Sequence, residues 1–172
     1  IVRGTTLKMS ILKMLDRLGP KQIVVVSSAP QIRYPDCYGI DMARLEQLVA
    51  FNAAIALHKE RGTESIITAV YHSCKAAIAS AEQGLAIENH VQALYAPFSN
   101  EEISDKIASI ISSDQLSSKV KVIFQSVDDL HQACPEHLGD WYFTGNYPTK
   151  GGVVVVNRAF VHFYEGNPAR AY

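Results

Sequence analysis

Gln22-Ile23-Val24-Val25-Val26-Ser27-Ser28 is a short β-branched run, and it follows Ile1-Val2-Arg3-Gly4-Thr5-Thr6 at the distance of one helix. A continuous apolar run of this length suggests a strand covered on both faces, as in a parallel sheet. Ile1 and Val2 read as the end of an earlier strand, and Arg3-Gly4-Thr5 as a tight turn. Between the two, Leu7, Ile11, Leu15 and Leu18 form one apolar stripe at helical spacing. Thr5 or Thr6 is placed to cap that helix, and Gly19-Pro20 to end it. Strand end, loop, helix and buried strand make one βαβ crossover, so the fold class is α/β. Ligands in such sheets sit beyond the carboxyl ends of the strands. That puts Arg3 to Thr6 and Ser27 to Ala29 on one rim.

Downstream, Pro30 to Ile40 reads as a loop. Met42 to about Arg61 reads as a helix with Leu45, Leu48, Val49, Asn52, Ile55 and Ala56 inward, broken by Gly62. Thr63 to Gln83 is a second, Ala-rich helix, and Ile87 to Tyr95 a third helical stretch. Ser99-Asn100-Glu101-Glu102 opens a helix to about Ser112, with acids at the positive end of the dipole. Val120 to Phe124 reads as a strand, and Ser126 as the cap of a helix over residues 127–134. Trp141 to Thr144 and Val153 to Val156 read as strands, and Asn167 to Tyr172 as a tail.

The 172 residues suit a single domain with a substantial core. A net charge of -1, from 16 basic and 17 acidic residues, gives no basic excess for nucleic acid or for a membrane surface. Any anion site must therefore be local. No apolar stretch is long enough to span a bilayer. Cys37, Cys74 and Cys134 are odd in number and far apart, which argues against a disulfide framework or a zinc ribbon and fits a reducing cytoplasm. The six histidines have no metal-ligand pairing and read as surface or packing residues; no metal site is expected. Opening on Ile1 rather than Met, inside what reads as a strand, suggests a fragment.

Arg3-Gly4-Thr5-Thr6 carries the site signal. Glycine lets a phosphate approach the backbone, the helix start offers unpaired amides, and two hydroxyls add donors. Arg3 adds charge nearby. An ordinary helix cap explains the same four residues without a ligand.

Ile1 to Thr6 matches the end of the motif with which type I phosphoribosyltransferases bind phosphoribosyl diphosphate (PRPP). Ser27-Ser28-Ala29-Pro30-Gln31-Ile32-Arg33-Tyr34-Pro35-Asp36-Cys37-Tyr38-Gly39-Ile40-Asp41-Met42 is longer and more discriminating, and Phe143-Thr144-Gly145-Asn146-Tyr147-Pro148-Thr149 is a weaker third match. In this order the three resemble the amidophosphoribosyltransferase family. The resemblance implies a partial type I phosphoribosyltransferase fold with added helices. In the whole enzyme, a glutaminase domain of the same chain releases ammonia. The ammonia displaces pyrophosphate from PRPP with Mg2+, giving 5-phosphoribosylamine in the first step of purine biosynthesis. The resemblance assigns Arg3, Gly4, Thr5 and Thr6 to the 5′-phosphate of PRPP or of a purine nucleotide. It places Tyr38, Gly39 and Asp41 by the active site or the glutaminase interface, although Asp41 also reads as a plain helix cap. A homo-oligomer is implied. The motif aspartates that contact the ribose would precede Ile1, so this chain alone is expected to be inactive.

Two departures stand out. Members with an iron–sulfur cluster place cysteines where this chain has Asp36, Gly139 and Tyr142, with Cys37 one residue late, so no cluster is expected. The residues from about 55 to 95 read as a helical addition within a phosphoribosyltransferase portion spanning 1–172. That addition motivates an alternative: a non-catalytic PRPP- or nucleotide-binding regulatory homologue.

Overall fold

The computed structural model describes residues 1–36, 42, 44–136 and 139–171. A π-wound segment, Leu7–Ile11, runs directly into α1 (Leu12–Asp16), and β1 (Gln22–Ser27) follows. Three helices come next: α2 (Val49–Glu60), α3 (Glu64–Glu82) and α4 (Asn100–Ile111). Then come β2 (Lys119–Phe124), α5 (Val127–Ala133), α6 (Trp141–Thr144) and α7 (Lys150–Glu165). Among the described residues no helix is long and apolar enough to cross a membrane.

The expected α/β class and parallel pairing are present, but the partner of β1 is β2. Gln22 pairs with Lys119 and Ser27 with Phe124, in parallel register. Ile1 and Val2 lie outside the sheet; the Val2 carbonyl instead accepts from Val49 N–H at 2.8 Å, at the start of α2. This register puts Ile23, Val25, Val120 and Val122 on one face, where Ile23 and Val122 are buried. Val24, Val26 and Ile123 on the other face are exposed. The strand expected to be covered twice is thus covered once. With two strands the sheet supports one helical layer.

α4 provides that layer. Its start carries a complete capping box: Ser99 Oγ accepts from Glu102 N–H, and Glu102 Oε2 accepts from Ser99 N–H. This satisfies two donors that a helix end otherwise leaves open. Ile103, Ile107 and Ile111 form its buried stripe. α1 docks differently from the expected stripe. Leu12 is fully buried, whereas Ile11 and Leu18 are exposed, because the π-wound first turn rotates the inward face. Asp16 then ties the end of α1 to the entry of β2, accepting from Ser117 N–H at 3.1 Å and Ser118 N–H at 2.8 Å.

Met42 to Arg61 is not one helix. Leu45–Gln47 is a 3-10 turn, Leu48 is extended, and α2 begins at Val49. Leu45, Leu48, Val49 and Ile55 still reach the core. α3 buries Ile67, Val70, Cys74 and Ala77 within the subunit, packed against α7. The third helical stretch shrinks to a 3-10 segment, His90–Leu94. His58 joins it to α2: buried, its ring meets Leu94 O through Nε2 and Thr63 Oγ1 through Nδ1, each at 2.9 Å.

Trp141–Thr144 and Val153–Val156, read as strands, are helical. Thr149 Oγ1 accepts from Gly152 N–H and starts α7, and Val156, Asn157 and Phe160 bury as one helical face. Burial outweighs the β preference of four valines. The tail is also tied down: Arg44 Nη2 donates to Pro168 O, and Ala171 is buried.

Two outcomes follow. The Asp16 carboxyl is held below the usual carboxylate range, first by Ser118 and then by Ser117. Because the folded value is the lower one, its stabilisation is present above pH ~4 and is lost as pH falls through the folded value. Urea midpoints of wild type and Asp16→Asn should therefore differ at neutral pH and converge in acid. Separately, the apolar face of Val24, Val26 and Ile123 and the open sheet edges should drive self-association. Sedimentation should show a concentration-dependent increase in mass that Val26→Lys reduces.

Candidate functional site

The structure separates the three sequence motifs into two groups. Gly4 lies at the carboxyl end of α4: an ideal Cβ on it would stand 2.6 Å from Ile111 Cγ2. Its φ of +71° is in the left-handed region, so both backbone and space require glycine here. The first helical bond runs from Lys8 N–H to Gly4 O at 3.0 Å. The amides of Thr5, Thr6 and Leu7 precede that bond and belong to the unpaired first turn. Thr5 and Thr6 are exposed, and the expected side-chain cap is absent at Thr6. Their hydroxyls make no hydrogen bond among the described residues and stand beside the open amides. Arg3 is exposed. Lys8 Nζ donates to Ile110 O at 2.8 Å, which offsets the negative end of α4 next to this turn. The turn thus presents exposed hydroxyls and first-turn amides beside the carboxyl end of α4.

The second and third motifs pack on each other elsewhere. Arg33 N–H and Tyr34 N–H both donate to Tyr142 O, at 2.9 and 3.1 Å. Tyr147 donates its hydroxyl to Pro35 O. Gly145, with φ of +77°, lets Tyr34 and Asn89 approach: a Cβ there would stand 2.8 Å from Tyr34 Cζ and 2.6 Å from Asn89 Nδ2. Asn89 Nδ2 donates to Gly145 O at 2.9 Å. Tyr95 donates to Arg33 O at 2.6 Å, and its ring meets Tyr34 edge-on. Burial raises the pKa of both phenols, so they remain hydroxyl donors.

The expected common rim does not form. Gln31 Nε2 donates to Asn100 O and Ser104 Oγ, at 2.8 and 2.9 Å, which ties the loop after β1 to the amino end of α4. Gly4 packs against Ile111 at the other end of the same helix. Ile1 and Val2 are not in the sheet, so the sheet does not place Gly4 to Thr6 at the strands' carboxyl ends. Tyr38, Gly39 and Asp41, and Cys37 with them, lie outside the described residues. On either side of them, Asp36 N–H donates to Met42 O at 2.9 Å. Cys74 is buried, donating to Asn157 Oδ1, with its thiol pushed up to about 12 by burial, while Cys134 is exposed.

Sequence reasoning missed a second polar cluster, Gln31, Arg33, Asn100 and Ser104. Its signal was available: an unbroken loop carrying Gln and Arg two apart, and an Asn at a strong helix start. Only long-range packing joins them.

No family model matches the chain, and no solved structure matches it. Curated amidophosphoribosyltransferases do. The Pseudomonas aeruginosa protein is 48% identical over 52 residues, 30% of this chain and 10% of its own length. The Haemophilus influenzae protein is 49% identical over 51 residues, with the same coverage. The Lachancea kluyveri protein is 43% identical over 68 residues, 39% of this chain and 13% of its own. The matched stretch thus spans about a tenth of the length of these relatives.

The two glycines should respond unequally to alanine. Gly4→Ala is expected to cost about 1–2 kcal/mol of left-handed strain plus a clash with one buried side chain, at the Cγ2 methyl of Ile111. Gly145→Ala is expected to cost more, about 2–4 kcal/mol, because its neighbours are a buried ring and an engaged amide. Urea unfolding measures both.

Proposed function

We propose that this chain, a segment of which is homologous to the amidophosphoribosyltransferases, is the carboxy-terminal part of the phosphoribosyltransferase portion of such an enzyme. The observation that carries the reading is 42–49% identity to several curated members, from bacteria, yeast and an archaeon. The activity proposed for the longer parent is the one that the motif resemblance implies: transfer of glutamine-derived ammonia to PRPP, with loss of pyrophosphate.

In this reading Gly4, Thr5 and Thr6 hold the 5′-phosphate through first-turn amides and hydroxyls, and Arg3 adds charge. The exposed hydroxyls and the glycine turn support that role. Mg2+ enters with PRPP; the donors around Gly4 fit phosphate oxygens and offer no ligand set for a cation. These residues anchor and orient the substrate, and the reacting carbon is managed by residues outside this chain. Tyr38, Gly39 and Asp41 face the active site or the glutaminase domain. The parent works in the cytoplasm as a homo-oligomer responsive to purine nucleotides, without an iron–sulfur cluster. The 172-residue chain by itself is inactive.

The test is pyrophosphate release from PRPP and Mg2+ by the longer parent, with glutamine and then ammonia as nitrogen donor. Release with both is expected. Thr5→Val with Thr6→Val should raise the KM for PRPP by tenfold or more, since a hydrogen bond to a charged group contributes about 1.5–3 kcal/mol. A folded parent that binds PRPP without releasing pyrophosphate would sink the catalytic reading in favour of a regulatory homologue.

A further inference from the structure

We propose that the cleft between the carboxyl end of β2, the loop after β1 and the start of α4 binds a small organic monocarboxylate on Arg33. The inference is independent of the function proposed for Gly4 to Thr6, which lie at the other end of α4.

The cleft has a volume of about 500 Å3 and is lined by Arg33, Asn100, Phe124 and Phe143 among others. That size suits a small ligand. Arg33 is partly buried, and its side-chain hydrogen-bond partners among the described residues are neutral. Nε and Nη2 donate to Gln31 Oε1 at 3.1 and 2.7 Å, and Nη2 donates to Asn100 Oδ1 at 2.5 Å. The guanidinium lies 5.1 Å from the centre of the Tyr95 ring. No carboxylate among the described residues pairs with it. Burial pulls its pKa below the ordinary guanidinium value, opposed only by the Tyr34 and Tyr95 phenols. A partly desolvated cation without a counter-ion is costly, and an anion entering the cleft relieves that cost.

The fork is also held in one orientation. Gln31 is only 4% exposed, and its amide nitrogen is fixed by Asn100 O and Ser104 Oγ. Its oxygen is thereby left to face Arg33. Nη1 makes no hydrogen bond among the described residues, so the planar group retains donors for a carboxylate. Phe124 and Phe143 supply apolar wall for the rest of the ligand.

Charge at the opening selects among anions. Glu101 and Asp105, both exposed and one turn apart on α4, line the cleft, with Lys121 as the other cation. A second negative charge on the ligand meets those carboxylates. A single carboxylate on an apolar body therefore fits better than a phosphate ester or a polyphosphate.

Benzoate and phenyl phosphate are the probes, titrated into the 172-residue chain at neutral pH and followed by amide chemical shifts. Benzoate should bind with Kd near ~1 mM and shift resonances around Arg33 and Asn100. Phenyl phosphate should bind several-fold more weakly, and benzamidine should not bind. Arg33→Gln should weaken benzoate at least tenfold. Since that change also touches the packed loop, Glu101→Gln with Asp105→Asn serves as a second variant on exposed positions. It should strengthen phenyl phosphate more than benzoate. Benzoate shifts that survive Arg33→Gln, no shifts at all, or tighter binding of phenyl phosphate than of benzoate would each overturn the proposal. Thr5→Val with Thr6→Val should leave benzoate binding unchanged, so failure here and failure of the PRPP reading are separable.

Discussion

Parallel strands cannot be joined by a tight turn, and here the constraint is large, because β1 and β2 are separated by all of α2, α3 and α4. The chain must leave the end of β1, build a helical layer, and return to the start of β2. α4 completes that return. Its isoleucine stripe covers one face of the sheet, its amino end receives the loop after β1, and its carboxyl end receives Gly4 and Lys8. Both candidate anion positions are therefore consequences of a single helix laid across two strands.

The capping box at Ser99 and Glu102 matters for the same reason. It fixes where α4 begins, and so where Asn100 presents its oxygens to Gln31 and Arg33. Phe51 sits at the other side of the core, edge-on to Phe163 with centroids 4.7 Å apart. α3 lies on α7, so the helices from about 55 to 95 contribute core as well as surface. Packing of this kind explains how a long segment between β1 and β2 is accommodated without opening the fold.

Electrostatically the molecule is close to neutral, and the anion binding proposed for it is local. At Gly4 it resides in first-turn amides and hydroxyls. At Arg33 it resides in one cation whose neighbours accept hydrogen bonds without neutralising it. The two differ in what they admit. The turn proposed for a phosphate is open, whereas the cleft proposed for a carboxylate is flanked by Glu101 and Asp105.

Elements with strong local signals were legible in the residues themselves: β1 and β2 from β-branched runs, α4 from its cap, α5 from Ser126, and α3 from its alanine-rich length. The three motifs, and with them the relation to amidophosphoribosyltransferases, were equally legible, since they depend on residue identity alone. What local signals could not supply was the partner of each element. Val153 to Val156 reads as strand by propensity and became helix because Thr149 starts α7 and a helical face finds α3 to pack on. The inward stripe on α1 moved to Leu12 because a π-wound turn shifted the phase. Arg3 to Thr6 left the strands' rim because Val2 bonds to Val49 rather than to a neighbouring strand. Residue type determined which groups were able to bind an anion. The positions of those groups rested on pairings between residues far apart in the chain, which short-range patterns do not encode.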